Sequence, residues 1–182
     1  MFIDVTQFPF TTVLEQEWQA ILAEYLALPD DSFQPWVQRE MYDGGWGVYG
    51  LIAFSKRIEP ALRSCPQTAR LLEQIPGLTT AGFSKLAAGA HIQPHIGWVR
   101  TVYRAHLGLV TPEHCAIRVG SEVRPWQAGK CLIFDDTEEH EAWNRSAQNR
   151  IVLLFDFLRP GCEHAALDEP PPEVQAFVRD YK

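Results

Sequence analysis

The chain predicts a mainly β domain of the jelly-roll kind, and three observations carry that prediction. From Thr79 onward, short apolar runs recur at residues 81–86, 91–95, 102–110, 116–119, 130–134, 141–144 and 150–157. Turn residues punctuate them, among them Gly89, Gly97, Pro112, Gly120, Gly129 and the pair Asp135-Asp136. The last run, Arg150-Ile151-Val152-Leu153-Leu154-Phe155-Asp156-Phe157, is nearly continuous in apolar residues, as in a strand buried on both faces. Short strands at this spacing describe a sandwich or barrel, whose ligand sites lie in its mouth.

The elements ahead of that core are helical first. Thr12-Val13-Leu14-Glu15 has the form of a capping box, and Leu14, Trp18, Ile21, Leu22 and Tyr25 follow at helical spacing. This predicts an opening helix to about Leu28, closed by the loop at Pro29-Asp30-Asp31. Residues 42–54, aromatic and glycine-rich, read as one or two strands bent near Gly44-Gly45. Pro66 opens a second short helix that ends at Pro76-Gly77. After the core, Pro170-Pro171-Pro172 forms a rigid spacer before a short helix over about residues 173–181. The organisation predicted is a single domain, 1–182, with its site in the core at 79–160, helical and strand support at 1–78 and a tail at 161–182.

Composition narrows the function classes. With 46% hydrophobic and 12% aromatic residues the chain is too apolar to be disordered. A net charge of −7 and no run of lysine or arginine argue against a nucleic-acid partner. Cys65, Cys115, Cys131 and Cys162 include no Cys-x-x-Cys pair, so reduced structural thiols are expected rather than zinc or redox chemistry. No basic leader precedes an apolar stretch, and no segment approaches the roughly 20 apolar residues of a membrane helix. A cytoplasmic protein with no membrane partner is the expectation, acting on a small-molecule, amino-acid or peptide substrate.

The chemistry is concentrated in Pro94-His95-Ile96-Gly97 and Glu139-His140-Glu141, with Arg104, His106 and Arg150 around them. Two histidines from a β-rich region, followed ten residues later by an arginine on an apolar strand, suggest a metal with a dicarboxylate co-substrate. Imidazole binds Fe(II) well, and open coordination positions admit a 2-oxo acid and then O2. The far carboxylate of 2-oxoglutarate then needs a fixed cation, and the planar fork of arginine suits it. A buried Arg150 wants such an anion. Strand alternation puts Arg104 and His106 on one face, with Ala105, Leu107 and Leu109 on the other. His91, four residues before His95, shares its strand face, while Asp135 and Asp136 read as turn residues.

These motifs resemble the aspartyl/asparaginyl β-hydroxylase family of Fe(II)- and 2-oxoglutarate-dependent dioxygenases. The similarity runs from about Trp46 to Pro160, through Phe83-Ser84, Gly89, Pro94-His95, Arg104-Ala105-His106-Leu107-Gly108-Leu109, Gly129 to Asp136, Glu139-His140-Glu141 and Arg150. The resemblance implies a double-stranded β-helix (jelly roll, cupin-like) with flanking N-terminal helices. It implies His95 and His140 as iron ligands, Arg150 and Ser84 on the distal carboxylate of 2-oxoglutarate, and Arg104 and His106 near its C1 carboxylate. The co-substrates implied are 2-oxoglutarate and O2, and the reaction is hydroxylation of an aliphatic C–H.

Two departures from related patterns matter. Where many 2-oxoglutarate oxygenases carry a third, acidic ligand two residues after the first histidine, this chain has Gly97, so two protein ligands plus water are expected. Basic residues that the resemblance associates with an acidic substrate are replaced here by Gly82 and Val102. The competing reading is a cupin-type metal-binding protein or isomerase acting on a small acid without O2 or 2-oxoglutarate.

Overall fold

The computed structural model describes residues 1–180, and it is a two-sheet antiparallel β-sandwich with helices against one sheet. The strands are β1 (Phe2–Ile3), β2 (Gln34–Pro35), β3 (Trp46–Ala53), β4 (Lys56–Arg57), β5 (Leu78–Leu86), β6 (His91–His95), β7 (Val102–Val110), β8 (Cys115–Val119), β9 (Glu122–Pro125), β10 (Cys131–Phe134), β11 (His140–Asn144) and β12 (Arg150–Leu158). The larger sheet has the order β1-β10-β7-β12-β5-β3-β2, with β4 paired to β3, and the smaller has the order β6-β11-β8-β9. This is the jelly-roll architecture that the strand spacing predicts.

Alternation on the central strand β12 divides the interior. Ile151, Leu153, Phe155 and Phe157 face one hydrophobic core, shared with Phe83, Ala105 and Leu107 and covered by the helices α1 (Phe10–Gln16), α2 (Trp18–Ala27), α3 (Glu59–Ser64) and α4 (Pro66–Leu72). Each fully buried side chain of this size contributes about 1.5–3 kcal/mol of hydrophobic stabilisation. Val152 faces the second core, between the sheets, with Leu86, Ile92, Ile117, Phe134 and Ala142. Arg150 and Asp156 keep step with Val152, so two polar side chains of a central strand enter the sandwich interior.

Several boundaries differ from the sequence reading. The opening helix is two helices broken at Glu17, and its cap is Pro9 with no side-chain hydrogen bond, so the capping box at Thr12 is not used. Glu15 instead accepts from Lys130 Nζ at 2.7 Å and from the Cys131 backbone N–H at 2.9 Å, tying α1 to β10. α3 and the short strands β1, β2, β4 and β9 have no counterpart in the reading, because runs this short carry no readable period. The C-terminal helix α5 spans Pro172–Asp180, and the Tyr181 end of the predicted helix lies outside the described residues. Cys65, Cys115 and Cys131 are buried free thiols, and burial pushes the Cys65 thiol up to about 12. No helix among the described residues is long and apolar enough to cross a membrane.

Asn144, at the end of β11, is a buried polar junction between the end of β5 and the turn that leads into β12. Its Nδ2 donates to the carbonyls of Leu86, Ala87 and Gln148, and its Oδ1 accepts from the Ser146 backbone N–H and hydroxyl and from the Cys115 thiol. Asn144→Ala strands buried carbonyls, each costing about 1–3 kcal/mol when unpaired. A loss of about 2–4 kcal/mol in urea unfolding is expected, and a value within experimental error of zero would show that water replaces the amide.

Candidate active site

His95 ends β6 and His140 begins β11, and the two are direct partners across the antiparallel pair. A bulge lies beside them, where the register shifts between His140 and Ala142, and bulges re-aim side chains in this way. The imidazole centroids are 4.1 Å apart. Nδ1 of His95 donates to the carbonyl of Gln93 at 2.8 Å, and Nδ1 of His140 donates to the carbonyl of Glu138 at 2.9 Å. Each bond fixes the tautomer with the proton on Nδ1 and leaves an Nε2 lone pair for another partner, the usual outer-shell arrangement of metal-binding histidines. Burial keeps both rings neutral, with His140 pushed down to about 3 by burial and then by His95.

Behind this pair lies a cavity of about 40 Å³, lined in part by Trp46, Ser84, His95, His106, His140 and Arg150. Arg150, at the start of β12, is 1% exposed and has no carboxylate partner among the described residues. Its Nη1 donates weakly to the carbonyl and hydroxyl of Ser84 at 3.3 and 3.4 Å, its Nε has no partner, and its guanidinium carbon stands 4.7 Å from the ring centre of Trp126. Burial without a counter-charge pulls its pKa down to about 10, so it remains a cation at neutral pH. Ser84 Oγ accepts from Trp46 Nε1 at 3.1 Å, leaving its proton free to donate.

His106 adds another donor. The Trp126 indole N–H can only donate, and it does so to His106 Nδ1 at 3.2 Å, which puts the His106 proton on Nε2. That Nε2 is buried with no partner. Burial, followed by the charges of Arg150 and Arg104, holds His106 well below the usual imidazole range. The cavity thus joins two imidazole lone pairs to buried donors from Arg150, Ser84 and His106. This donor set fits a divalent metal beside an anionic chelator.

Arg104, expected near the C1 carboxylate of the co-substrate, lines this cavity; its Nε and Nη2 donate to the two oxygens of Asp156, at 2.8 Å each, and its Nη1 pairs with Asp136 at 3.1 Å. These contacts engage three of its five N–H donors and fix the guanidinium against two buried acids. Asp156 is its direct neighbour across β7 and β12, a pairing that primary sequence does not display. Asp136 lies in the turn after β10, as expected, but its side chain points inward. It is 1% exposed, and burial, only partly opposed by Arg104, lifts its pKa to about 6. Asp135 does serve the turn, accepting from the Thr137 backbone N–H at 3.0 Å and from its hydroxyl at 2.6 Å. His91 pairs with Glu141 at 2.7 Å in a network with Arg118 and stays outside the cavity.

Gly97 has a steric explanation. A Cβ built there would approach the Asp136 carboxylate, with Cγ at 2.5 Å, and the Gly97 N–H donates to the Asp136 carbonyl at 2.7 Å. The volume that a side chain at position 97 would need is filled by Asp136. Among the described residues, no three histidine, cysteine or acidic side chains gather as a metal-binding cluster. Gly97→Asp therefore drives two carboxylates together, and a destabilisation of about 3 kcal/mol or more is expected, with no gain in Fe(II) affinity. Urea unfolding and calorimetric titration check this, and a stable variant with tighter iron would refute it.

The fold and this pocket define a jelly-roll protein with a pair of buried histidines beside a wall of buried hydrogen-bond donors. The chain belongs to the aspartyl/asparaginyl β-hydroxylase family, whose model matches residues 15–160. It is 39% identical over 168 residues to the ornithine lipid ester-linked acyl 2-hydroxylase of Rhizobium tropici, covering 86% of this chain and 60% of that protein. It is 36% identical over 156 residues to the human aspartyl/asparaginyl β-hydroxylase, covering 81% of this chain and 21% of that protein. The chain thus spans only part of the length of both relatives. Among solved structures, a Pseudomonas putida prolyl-4-hydroxylase shares the fold, with a TM-score of 0.53 at 18% identity over 80% of this chain and 87% of that one.

Proposed function

We propose that the protein is an Fe(II)- and 2-oxoglutarate-dependent dioxygenase that hydroxylates an aliphatic C–H of an amino-acid, peptide or small-molecule substrate. The observation that carries this reading is Arg150, a buried guanidinium without a counter-ion at the wall of a cavity whose mouth holds two neutral imidazoles. Leaving such a charge unpaired costs several kcal/mol, a cost that an anionic ligand removes. The family membership and the hydroxylase names of both relatives support the same class of reaction.

In this reading, Nε2 of His95 and His140 hold iron, Arg150 and Ser84 bind the distal carboxylate of 2-oxoglutarate, and the His106 Nε2–H donates to the co-substrate. Bound iron would supply the oxygen chemistry: O2 and 2-oxoglutarate become succinate and CO2, with one oxygen atom in succinate and the other in the new C–OH. The protein's own contribution is position and dryness. Trp126 fixes the His106 tautomer and packs on Arg150, and the Gln93 and Glu138 carbonyls hold the ligating rings in place.

The test is succinate formation from 2-oxoglutarate with added Fe(II) and O2. Co-substrate-dependent succinate is expected. Metal binding without any succinate, across a broad substrate set, would favour a cupin-type protein that does not use oxygen.

A further inference from the structure

A second, larger cleft opens onto the same site. It has a volume of about 130 Å³, and it meets the inner cavity through Trp46, Ser84, His95, Arg104 and Leu154. Its lining draws on Trp36 and β3, on residues 96–99 after β6, and on α5 through Phe177 and Val178.

The sequence of α5 explains how it sits there. Val174, Phe177 and Val178 fall at i, i+3 and i+4 and form one apolar stripe, while Glu173, Gln175, Arg179 and Asp180 are exposed. Val174 is completely buried, and the ring centres of Phe177 and Trp36 are 5.8 Å apart. At nine residues the helix is too short to persist in water by itself, so it depends on this docking.

Its tether has a fixed root and an exposed middle. Arg159, just past β12, pairs with Asp135, donates from Nε to the Val102 carbonyl at 2.8 Å and from its backbone N–H to the Thr101 carbonyl at 2.9 Å. From there to Pro172 the chain makes turns but no strand or helix, and residues 163–166 are exposed. Two surface hydrogen bonds then clip the tail down: Asp168 accepts from the Arg100 backbone N–H at 2.7 Å, and Glu173 accepts from Gln38 Nε2 at 3.1 Å. Arg100 directly follows the cleft residues 96–99, and Gln38 lies two residues after Trp36, so the clips reach both lining segments. A unit held by one apolar stripe and exposed hydrogen bonds can open without unfolding the sandwich.

We propose that residues 166–180 form a lid: α5 undocks from the cleft, with the Asp168 and Glu173 clips released, to admit a substrate, and redocks to close the cleft over it. Opening is read from the docking geometry; only its benefit, keeping bulk water from the reacting centre, rests on the oxygenase reading.

Hydrogen exchange and thiol labelling test the lid without metal or co-substrate. The α5 amides should exchange through a local opening, at least about a hundredfold faster than those of β12 and with little dependence on low concentrations of urea. Val48 lines the cleft from β3, so Val48→Cys reports access, in a Cys162→Ser background that leaves only buried native thiols. The probe is a neutral dipyridyl disulfide. Val174→Ala, which removes two buried methyl groups, should speed labelling about tenfold or more. Asp168→Ala, which removes one exposed hydrogen bond, should speed it about two- to tenfold. Circular dichroism checks that the sandwich is retained. Protection of α5 equal to that of β12, or labelling that neither Val174→Ala nor Asp168→Ala changes, would overturn the lid. Succinate assays with Fe(II), 2-oxoglutarate and O2 separate the two readings. Local α5 exchange and faster labelling without succinate support the lid and count against the oxygenase, whereas succinate from a protein whose α5 amides exchange only by global unfolding does the reverse.

Discussion

His95→Ala and His140→Ala are each expected to abolish specific Fe(II) binding and succinate formation while leaving a folded protein. The two rings stand 4.1 Å apart with both Nδ1 atoms bonded to backbone carbonyls, and among the described residues no group of three or more histidine, cysteine or acidic side chains gathers as an alternative metal site. Losing an outer-shell partner of a metal typically costs 10–100-fold, so removal of a ligand itself should exceed about 100-fold in activity. The effect on the metal-free fold should be smaller, about 1–2 kcal/mol, since each ring is held neutral by burial and its Nδ1 bonds a single backbone carbonyl. Metal titration monitored by calorimetry, with succinate assays and urea unfolding beside it, tests the assignment. A variant with near-native turnover would remove that histidine from the metal site.

Arg150→Ala should raise the 2-oxoglutarate requirement by orders of magnitude, and Arg150→Lys should raise it less. A charge-assisted hydrogen bond is worth about 1.5–3 kcal/mol, or roughly 10- to 150-fold, and a fork that makes two of them in a dry cavity should exceed that range. Lysine keeps the charge but loses the fork. The contrast with stability makes the prediction specific. A structural ion-pair arginine would cost about 3–5 kcal/mol on removal, but Arg150 has no acid beside it. Arg150→Met, which keeps an apolar stem against Trp126, should leave the metal-free protein as stable as the parent or more so. An unchanged dependence on 2-oxoglutarate, or a large loss of stability in Arg150→Met, would place Arg150 in the framework instead of the site.

Much of the fold is legible in the chain because hydrophobic period and turn chemistry are local signals. The seven core strands fall within a few residues of their predicted limits, and Pro66 does open a helix, α4. Arg150 stands out on an apolar strand for the same reason, since a lone cation in such a run must be buried. Arg104 shows where local signals end. Its alternation with His106 correctly puts both on the interior face, but alternation says nothing about which acid lies across the next strand, and Asp156 is 52 residues away in sequence.

The sequence by itself determined the jelly roll, the two histidines and the buried arginine, since each is expressed in residue type and spacing along one segment. Only the tertiary structure decided the pairing of Arg104 with Asp156 and Asp136, the filling of the Gly97 position by Asp136, and the His106 tautomer set by Trp126. It alone also revealed the largely apolar cleft beside the histidines, assembled from β3, β5, the segment after β6 and α5. The physical reason is that hydrogen bonds and ion pairs act over a few ångströms of space, and strand register and helix docking, which no local pattern encodes, choose which distant side chains come within that reach.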